Sequence, residues 1–514
     1  MVESSDNHAF RPDAGRENRG LKAWLGGMLY WSCLPRAAIA RHGQLPTQSM
    51  NTYRSNNPIA LIVAAVLLCT SISAQNPTSS QKPLLQDIKV YSENDAYVKK
   101  TADASPIVSN SSAPSSSLIK TSFPILADTP IPGHSGVLVE TLDGNVVVDS
   151  MSNFAFNPAS NVKIATSYAV LKTFGPDYRF QTGVWTDGSY EQATQTIHGN
   201  LYVSGRDPIF GYEHAVSLAS ELNRMGIRNI SGDLVVTDNF AMNYSTSATS
   251  SSRTLFTTLD ATKRTAAATR VWTNYLINSG HLRPTGDTPG VTFTGSVYVQ
   301  PMPSNAKLLF NHESTPMRDI VKVMMCYSNN FVAERLGDMV GGPYAVARLV
   351  QQNIGVQPYE FTLATSSGLG INRVTPNAMM KLLRLFRSDL ARYRMTFADI
   401  MPVAGLDRGT LEKRFDTDFS SGSVVGKTGT LGRTDGGASA LTGEINTRKG
   451  KLLFVIFNQR GSVSRFRAFQ NNYVSIIQGQ FGGPAPIAYT PISLDYRMAK
   501  TRFSYPSRAA LDDD

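Results

Sequence analysis

Three short polar groups carry the chemistry open to this chain: Ser160-Asn161-Val162-Lys163, Ser328-Asn329-Asn330 and Lys427-Thr428-Gly429. A serine hydroxyl is a poor nucleophile until a base lies within hydrogen-bond reach. Ser160 and Lys163 stand three apart, so on a helix they share a face and the lysine amine reaches the hydroxyl. A helix N-terminus at Ser160 would also favour negative charge developing on that oxygen. Histidine is the weaker base here, since none of the 7 histidines stands beside a candidate nucleophile with an acid partner. Neither a Gly-x-Ser-x-Gly elbow nor a His-Glu-x-x-His zinc pair occurs in the sequence. The expectation is acyl transfer by serine and lysine, with no metal and no cofactor.

Each pattern alone is weak. Ser-x-x-Lys recurs at Ser79–Lys82, Ser117–Lys120 and Ser304–Lys307. Ser79 and Ser117 lie in a Ser/Pro-rich stretch, however, and Ser304 follows Pro301 and Pro303. Ser160 instead opens an amphipathic helical pattern, with Ile164, Tyr168 and Leu171 on one face and Gly175-Pro176 as its stop. Ser328-Asn329-Asn330 falls between two helical runs, where a loop presents hydroxyl and amide. Lys427-Thr428-Gly429 lies on or ends a strand. There Lys427 and Thr428 suit a carboxylate, and Gly429 would let a substrate backbone approach closely.

The surrounding elements must bring these groups together. Val137–Val139 and Val146–Val148 flank Asp143-Gly144, a hairpin signal. Asn200–Val203 and Asp233–Val236 read as strands, Ala215–Met225 as a helix and Met242–Ser252 as a polar loop. Thr315 as N-cap and Pro316 in the first turn start a helix carrying Ile320, Val323 and Met324. Ser423–Thr428, Ala438–Ile445 and Leu452–Asn458 read as strands, covered by a helix with Phe466, Phe469, Tyr473 and Ile477 on one face. The pattern predicts an α+β fold: a catalytic domain in two pieces, 125–185 and 305–480, with a strand-rich inserted domain at 186–304 and a C-terminal tail at 481–514.

Upstream, Asn57–Ser73 is a short apolar core with Arg54 before it and Ala74 at a cleavage-type position. It reads as a secretory signal spanning 50–74, preceded by an upstream extension at 1–49 and followed by a flexible linker at 75–124. An exported protein of the periplasm or the cell-envelope exterior is expected, membrane-associated if the signal stays uncleaved as an anchor. Cleavage after Ala74 would leave Cys326 as the one cysteine, expected as a buried structural thiol. The net charge of +10 is spread along the 514 residues without a Lys/Arg block, so no nucleic-acid partner is expected. A homo-oligomer stays open.

The stretch NPASNVKIATSYAVLKTFGPDYRFQT resembles the nucleophile region of the S13 peptidases, the class C low-molecular-weight penicillin-binding proteins. GNLYVSGRDP, STPMRDIVKVMMCYSNNFVAERL, SSGLGINRVTP and GKTGTLGRTDGGASALTGEI extend the resemblance from about Val137 to Asn458. It implies a penicillin-binding-protein or serine β-lactamase-like transpeptidase domain, an antiparallel sheet flanked by helices, split by an insertion. Ser160 to Ser328 spans 168 residues (328 − 160), too wide for a class A β-lactamase. The implied activity is a D-alanyl-D-alanine carboxypeptidase or endopeptidase acting on peptidoglycan stem peptides ending in D-Ala-D-Ala, and acylated by β-lactams. The implied roles are Ser160 as nucleophile, Lys163 as base and Ser328 as proton relay. Asn330 would bind the substrate amide, Lys427 and Thr428 the terminal carboxylate, and the backbone N–H groups of Ser160 and Thr430 the oxyanion. Two alternatives share the fold, a serine β-lactamase and a catalytically silent wall-binding protein. Thr365-Ser366 departs from the Asp-Gly pair usual in the family before Ser367-Gly368-Leu369. Asp207 could contact substrate from the insertion or stabilise its own turn.

Overall fold

Alternating apolar residues in the first and last parts of the chain build one sheet. A computed structural model describes residues 119–280 and 288–506. The upstream extension, the signal segment and the linker as far as residue 118 lie outside the described residues. Strands β1 (Ile119–Thr121), β2 (His134–Thr141) and β3 (Val146–Ser150) come from the N-terminal part. Strands β4 (Val424–Leu431), β5 (Ala438–Thr447) and β6 (Gly450–Gln459) come from the C-terminal part. They assemble in the order β1-β3-β2-β6-β5-β4, every neighbour antiparallel. Strand β1, inside the expected linker at 75–124, pairs with β3.

Helices cover both faces. In β6, Leu453, Val455 and Phe457 point into a helical core, while Leu452, Phe454 and Ile456 point the other way. The first core is built around α1 (Val162–Phe174), α2 (Met317–Tyr327) and α3 (Asn330–Val340). The second packs on Tyr473, Val474 and Ile477 of α4 (Val463–Gln480). Enclosed between them, β5 is buried along its whole length.

Two helix expectations change. The sequence pattern reads α1 as amphipathic, yet it is buried from Val162 to Leu171. It runs through the centre of the helical layer, so its polar positions as far as Ser167, Lys163 among them, are buried. Helix α2 is capped by Pro316 without a side-chain bond, and the Thr315 hydroxyl instead donates to the Arg497 carbonyl at 2.6 Å.

The insertion has its own six-stranded sheet. It joins Val297–Val299, Leu234–Val236, Leu201–Gly205, Gln181–Thr186, Lys307–Glu313 and Arg502–Ser504 in that order over a separate apolar core. Gln181–Thr186 and Lys307–Glu313, on either side of the expected 186–304 span, therefore pair within the insertion's sheet. The expected C-terminal tail supplies the last strand, fastened by Arg502 to Glu313 at 2.5 Å and by Arg497 to Asp319 at 2.6 Å. One three-residue strand has too little periodicity to be read from sequence. The expected loop at 242–252 also runs into a helix, Ala248–Leu259, capped by Ser247 Oγ accepting from the Ser250 N–H at 3.2 Å. Its serines and threonines bond back to carbonyls one turn earlier (Ser251 to Ser247, Thr258 to Thr254), which satisfies a composition that otherwise favours loops.

Candidate active site

Ser160 sits in a 3₁₀ turn, Ala159–Asn161, that leads directly into α1. Ala159 holds a left-handed φ of +47°, a strained conformation for a residue with a side chain. Neighbouring groups hold it in place. Asn157 Oδ1 accepts from the Ala159 N–H at 3.0 Å, while Asn157 Nδ2 donates to the Gly370 carbonyl at 2.9 Å and to Asp435 at 2.6 Å. Two glycines pack on the same turn. A Cβ on Gly368 would lie 2.0 Å from the Ala159 carbonyl oxygen, and one on Gly429 would lie 2.7 Å from that of Pro158. The close approach expected of Gly429 is thus made first by the chain's own nucleophile turn.

Lys163, one turn into the helix, is fully buried and contacts three oxygens. Its Nζ lies 3.1 Å from Ser160 Oγ, 2.7 Å from Asn330 Oδ1 and 2.6 Å from the Ser367 carbonyl. Ser328 terminates α2 in a left-handed conformation (φ 55°), and Asn329 caps α3 by accepting from the Val332 N–H. This tight corner presents Ser328 and Asn330 together. Ser328 Oγ accepts from Lys427 Nζ at 2.9 Å. The second and third motifs therefore meet through Ser328, and the first meets the second through Asn330.

Lys427 is also fully buried, its ammonium donating to Ser328 and to the Thr428 carbonyl at 2.7 Å. Lys427 thus reaches the cleft through Ser328 rather than by standing in the open. Strand β4 is a sheet edge. The Gly426 N–H bonds outward to the Pro402 carbonyl, and the two-residue alternation of a strand puts the Thr428 and Thr430 N–H groups on that same free side. The Thr430 hydroxyl donates to the Gly429 carbonyl and accepts from exposed Arg467 at 2.8 Å.

Burial sets the charge state of both lysines. Burial, then the neighbouring Lys427 ammonium, push Lys163 well below the ordinary lysine range, against an opposing pull from Glu334. Burial brings Lys427 down to about 7. An amine that is neutral near neutral pH is the form a general base needs.

Several participants escaped the sequence reading. Glu334 accepts the backbone N–H groups of Ser366 and Ser367, each at 3.0 Å. Asp435, paired with Arg373 at 2.7 Å, anchors Asn157. The only hint was spacing, since Glu334 follows Asn330 by one helical turn. The unusual Thr365 closes its loop with its hydroxyl, which donates to the Leu369 carbonyl and accepts from the Gly368 N–H. Cys326 is a buried thiol pushed up to about 12 by burial, inert as a nucleophile. Asp207 is buried, its Oδ1 accepting from the Ile209 N–H at 3.0 Å, which is the turn-stabilising alternative.

The chain is similar to known proteins in sequence and in fold. The sequence profile of the D-Ala-D-Ala carboxypeptidase 3 (S13) family matches residues 124–269 and 259–477. A D-alanyl-D-alanine carboxypeptidase of Actinomadura is 26% identical over 434 residues, 65% of this chain and 79% of its own length. A penicillin G-acylated predatory endopeptidase of Bdellovibrio bacteriovorus, solved with an immunity protein, superposes with a TM-score of 0.60 at 23% identity, covering 70% of this chain and 95% of that one. Penicillin-binding protein 4 of Haemophilus influenzae superposes with a TM-score of 0.51 at 21% identity, over 69% and 97% of the two chains. The matched profile takes in both catalytic pieces and the insertion between them, and the chain belongs to the D-Ala-D-Ala carboxypeptidase 3 (S13) family of serine peptidases.

Proposed function

We propose that Ser160 is the nucleophile and Lys163 the base of a D-alanyl-D-alanine carboxypeptidase and endopeptidase that works on peptidoglycan stem peptides. The observation that carries this is the set of partners around Lys163 Nζ. Asn330 Oδ1 and the Ser367 carbonyl can only accept hydrogen bonds, whereas a serine hydroxyl can also donate. A neutral lysine amine has two N–H donors and one lone pair. Its two donors go to the two obligate acceptors, and the lone pair is left facing the Ser160 O–H at 3.1 Å.

Ser160 Oγ attacks the carbonyl carbon of the scissile bond as Lys163 takes its proton. The oxyanion lies between the backbone N–H groups of Ser160 and Thr430. Ser328 accepts from Lys427, which leaves its own O–H to pass a proton to the leaving amine as the C–N bond breaks; Ser328 takes up in its place the proton that Lys163 removed from Ser160, so Lys163 is neutral again before deacylation. Asn330 bonds the substrate amide, and Lys427 and Thr428 hold the carboxylate. Water then attacks the acyl-enzyme, Lys163 takes its proton, and the Ser160 hydroxyl is restored. Export across the inner membrane fits this substrate; the apolar run at 57–73 supports it.

Fluorescent penicillin tests the reading. A covalent adduct on wild-type protein, lost in Ser160→Ala, is expected; a folded wild-type protein that takes no label overturns it. D-alanine released from a pentapeptide reports the carboxypeptidase and cleavage of a crosslinked dimer the endopeptidase. Rapid turnover of the penicillin itself would instead mark a β-lactamase.

A further inference from the structure

We infer that Glu334, outside all three motifs, is a positioning residue for the base: it clamps the 365–368 loop so that the Ser367 carbonyl is held against Lys163. This rests on Lys163 acting as the base for Ser160.

The clamp is bidentate. One carboxylate oxygen of Glu334 accepts from the Ser366 N–H and the other from the Ser367 N–H, both at 3.0 Å. Paired bonds to an ionised acceptor are stronger and more directional than single neutral ones. The loop is gripped from the other side by α1, where the Thr166 hydroxyl donates to the Ser366 carbonyl at 2.6 Å. Thr166 follows Lys163 by three residues, and Glu334 follows Asn330 by four. Each helix therefore carries one group that faces the site and, one turn later, one group that grips the loop. The Ser366-Ser367 peptide is trapped between them, and the Ser367 carbonyl meets Lys163 Nζ at 2.6 Å.

Two further features point to a loop held to close tolerance. Gly337, on α3, has no side chain where a Cβ would lie 1.9 Å from Ser366 Oγ, so the serine that replaces the family's usual glycine fits against bare backbone. Gly368 abuts the carbonyl of Ala159, tying the same loop to the nucleophile turn. A shift of the loop would take an acceptor from Lys163 and free the amine to rotate its lone pair away from Ser160.

Glu334 also acts through charge. Its field favours the protonated form of Lys163, opposing burial. Glu334→Gln removes that field and puts an amide N–H₂ against one of the two backbone N–H groups. The neutral amine should then persist to lower pH while its orientation is poorer.

The experiment is the pH dependence of acylation by a fluorescent penicillin, on the full chain. Glu334→Gln should lower the plateau rate constant about ten- to a hundredfold, as expected when a catalytic group is misplaced by a fraction of an ångström. It should also move the acid limb to lower pH. Glu334→Asp, which keeps the charge, should leave that limb in place. An unmoved acid limb in Glu334→Gln overturns the inference, whatever the plateau, because a merely structural residue would change only the height. Should Glu334→Gln not fold, Gly337→Ala displaces the loop without touching charge. Its acylation should fall, and adding Ser366→Gly should restore it; no fall, or no rescue, overturns the inference. Lys163→Ala separates this from the reading beneath it: rapid acylation in that variant would defeat the assignment of the base itself.

Discussion

Two regions of the helical layer bury a lysine completely, and they use it in opposite ways. Lys322 on α2 donates to the carbonyls of Ala398 and Met401 and forms an ion pair with Asp407 at 2.6 Å. Asp407 in turn accepts from the Val403 N–H and the Tyr489 hydroxyl. Lys163 and Lys427 are as deeply buried, yet among the described residues the hydrogen-bond partners of their amines are neutral oxygens. A buried charge must be paired or must neutralise. Asp407 pairs the first lysine and makes it a structural tie between α2 and the 397–410 segment. The other two lack a contacting carboxylate, so burial pushes them towards the amine. A lysine buried in this protein is an ion-paired brace where a carboxylate meets it, and is pushed towards the neutral amine where none does.

The largest effect should come from removing the base. Lys163→Ala is expected to slow penicillin acylation about a thousandfold, measured as the labelling rate constant, with the fold kept intact by circular dichroism. Removing the pairing partner on the other side should instead cost stability. Asp407→Asn leaves a buried unpaired ammonium and should destabilise by about 3–5 kcal/mol in urea unfolding; a loss under 1 kcal/mol would dissolve the distinction between the two sites.

Converting one environment into the other is a sharper trial. Asn330→Asp puts a carboxylate where Oδ1 now lies, 2.7 Å from Lys163 Nζ. It should hold the lysine protonated, cut acylation at neutral pH about ten- to a hundredfold, and move the acid limb to higher pH. An unchanged pH profile would show that a neighbouring carboxylate does not decide the role.

The smallest effect is on stability against pH. Lys427 titrates at about 7 when folded, against the ordinary lysine value near 10.4 when unfolded. The unfolded chain therefore binds more protons across that interval, and this contribution to stability rises with pH from about 7 to about 10 and is lost as pH falls through the folded value. Lys427→Met should flatten the rise in melting temperature over that window relative to wild type; an identical slope would contradict a neutral buried lysine.

Much of this was legible in the chain and some was not. The Asp143-Gly144 hairpin, the β4–β6 strands and the stripe on α4 are local patterns, and each forms as the alternation predicts. Helix α1 shows where local pattern fails: its buried length depends on what the rest of the fold lays against it. The helix within 242–252 was hidden by a Ser/Thr-rich composition, and the C-terminal strand by its brevity. Glu334 gave no motif, because its partners lie 32 and 33 residues away along the chain.

By itself the sequence determined which residues could react: a serine and a lysine one helical turn apart, with an amide, a second serine and a second lysine to serve them. The i, i+3 spacing is a property of the helix and needs nothing from elsewhere. Only the tertiary structure decided that burial would push Lys163 towards the neutral amine and which acceptors would meet its Nζ. Those depend on burial and on acceptors brought from 167 and 204 residues away, which no local spacing encodes.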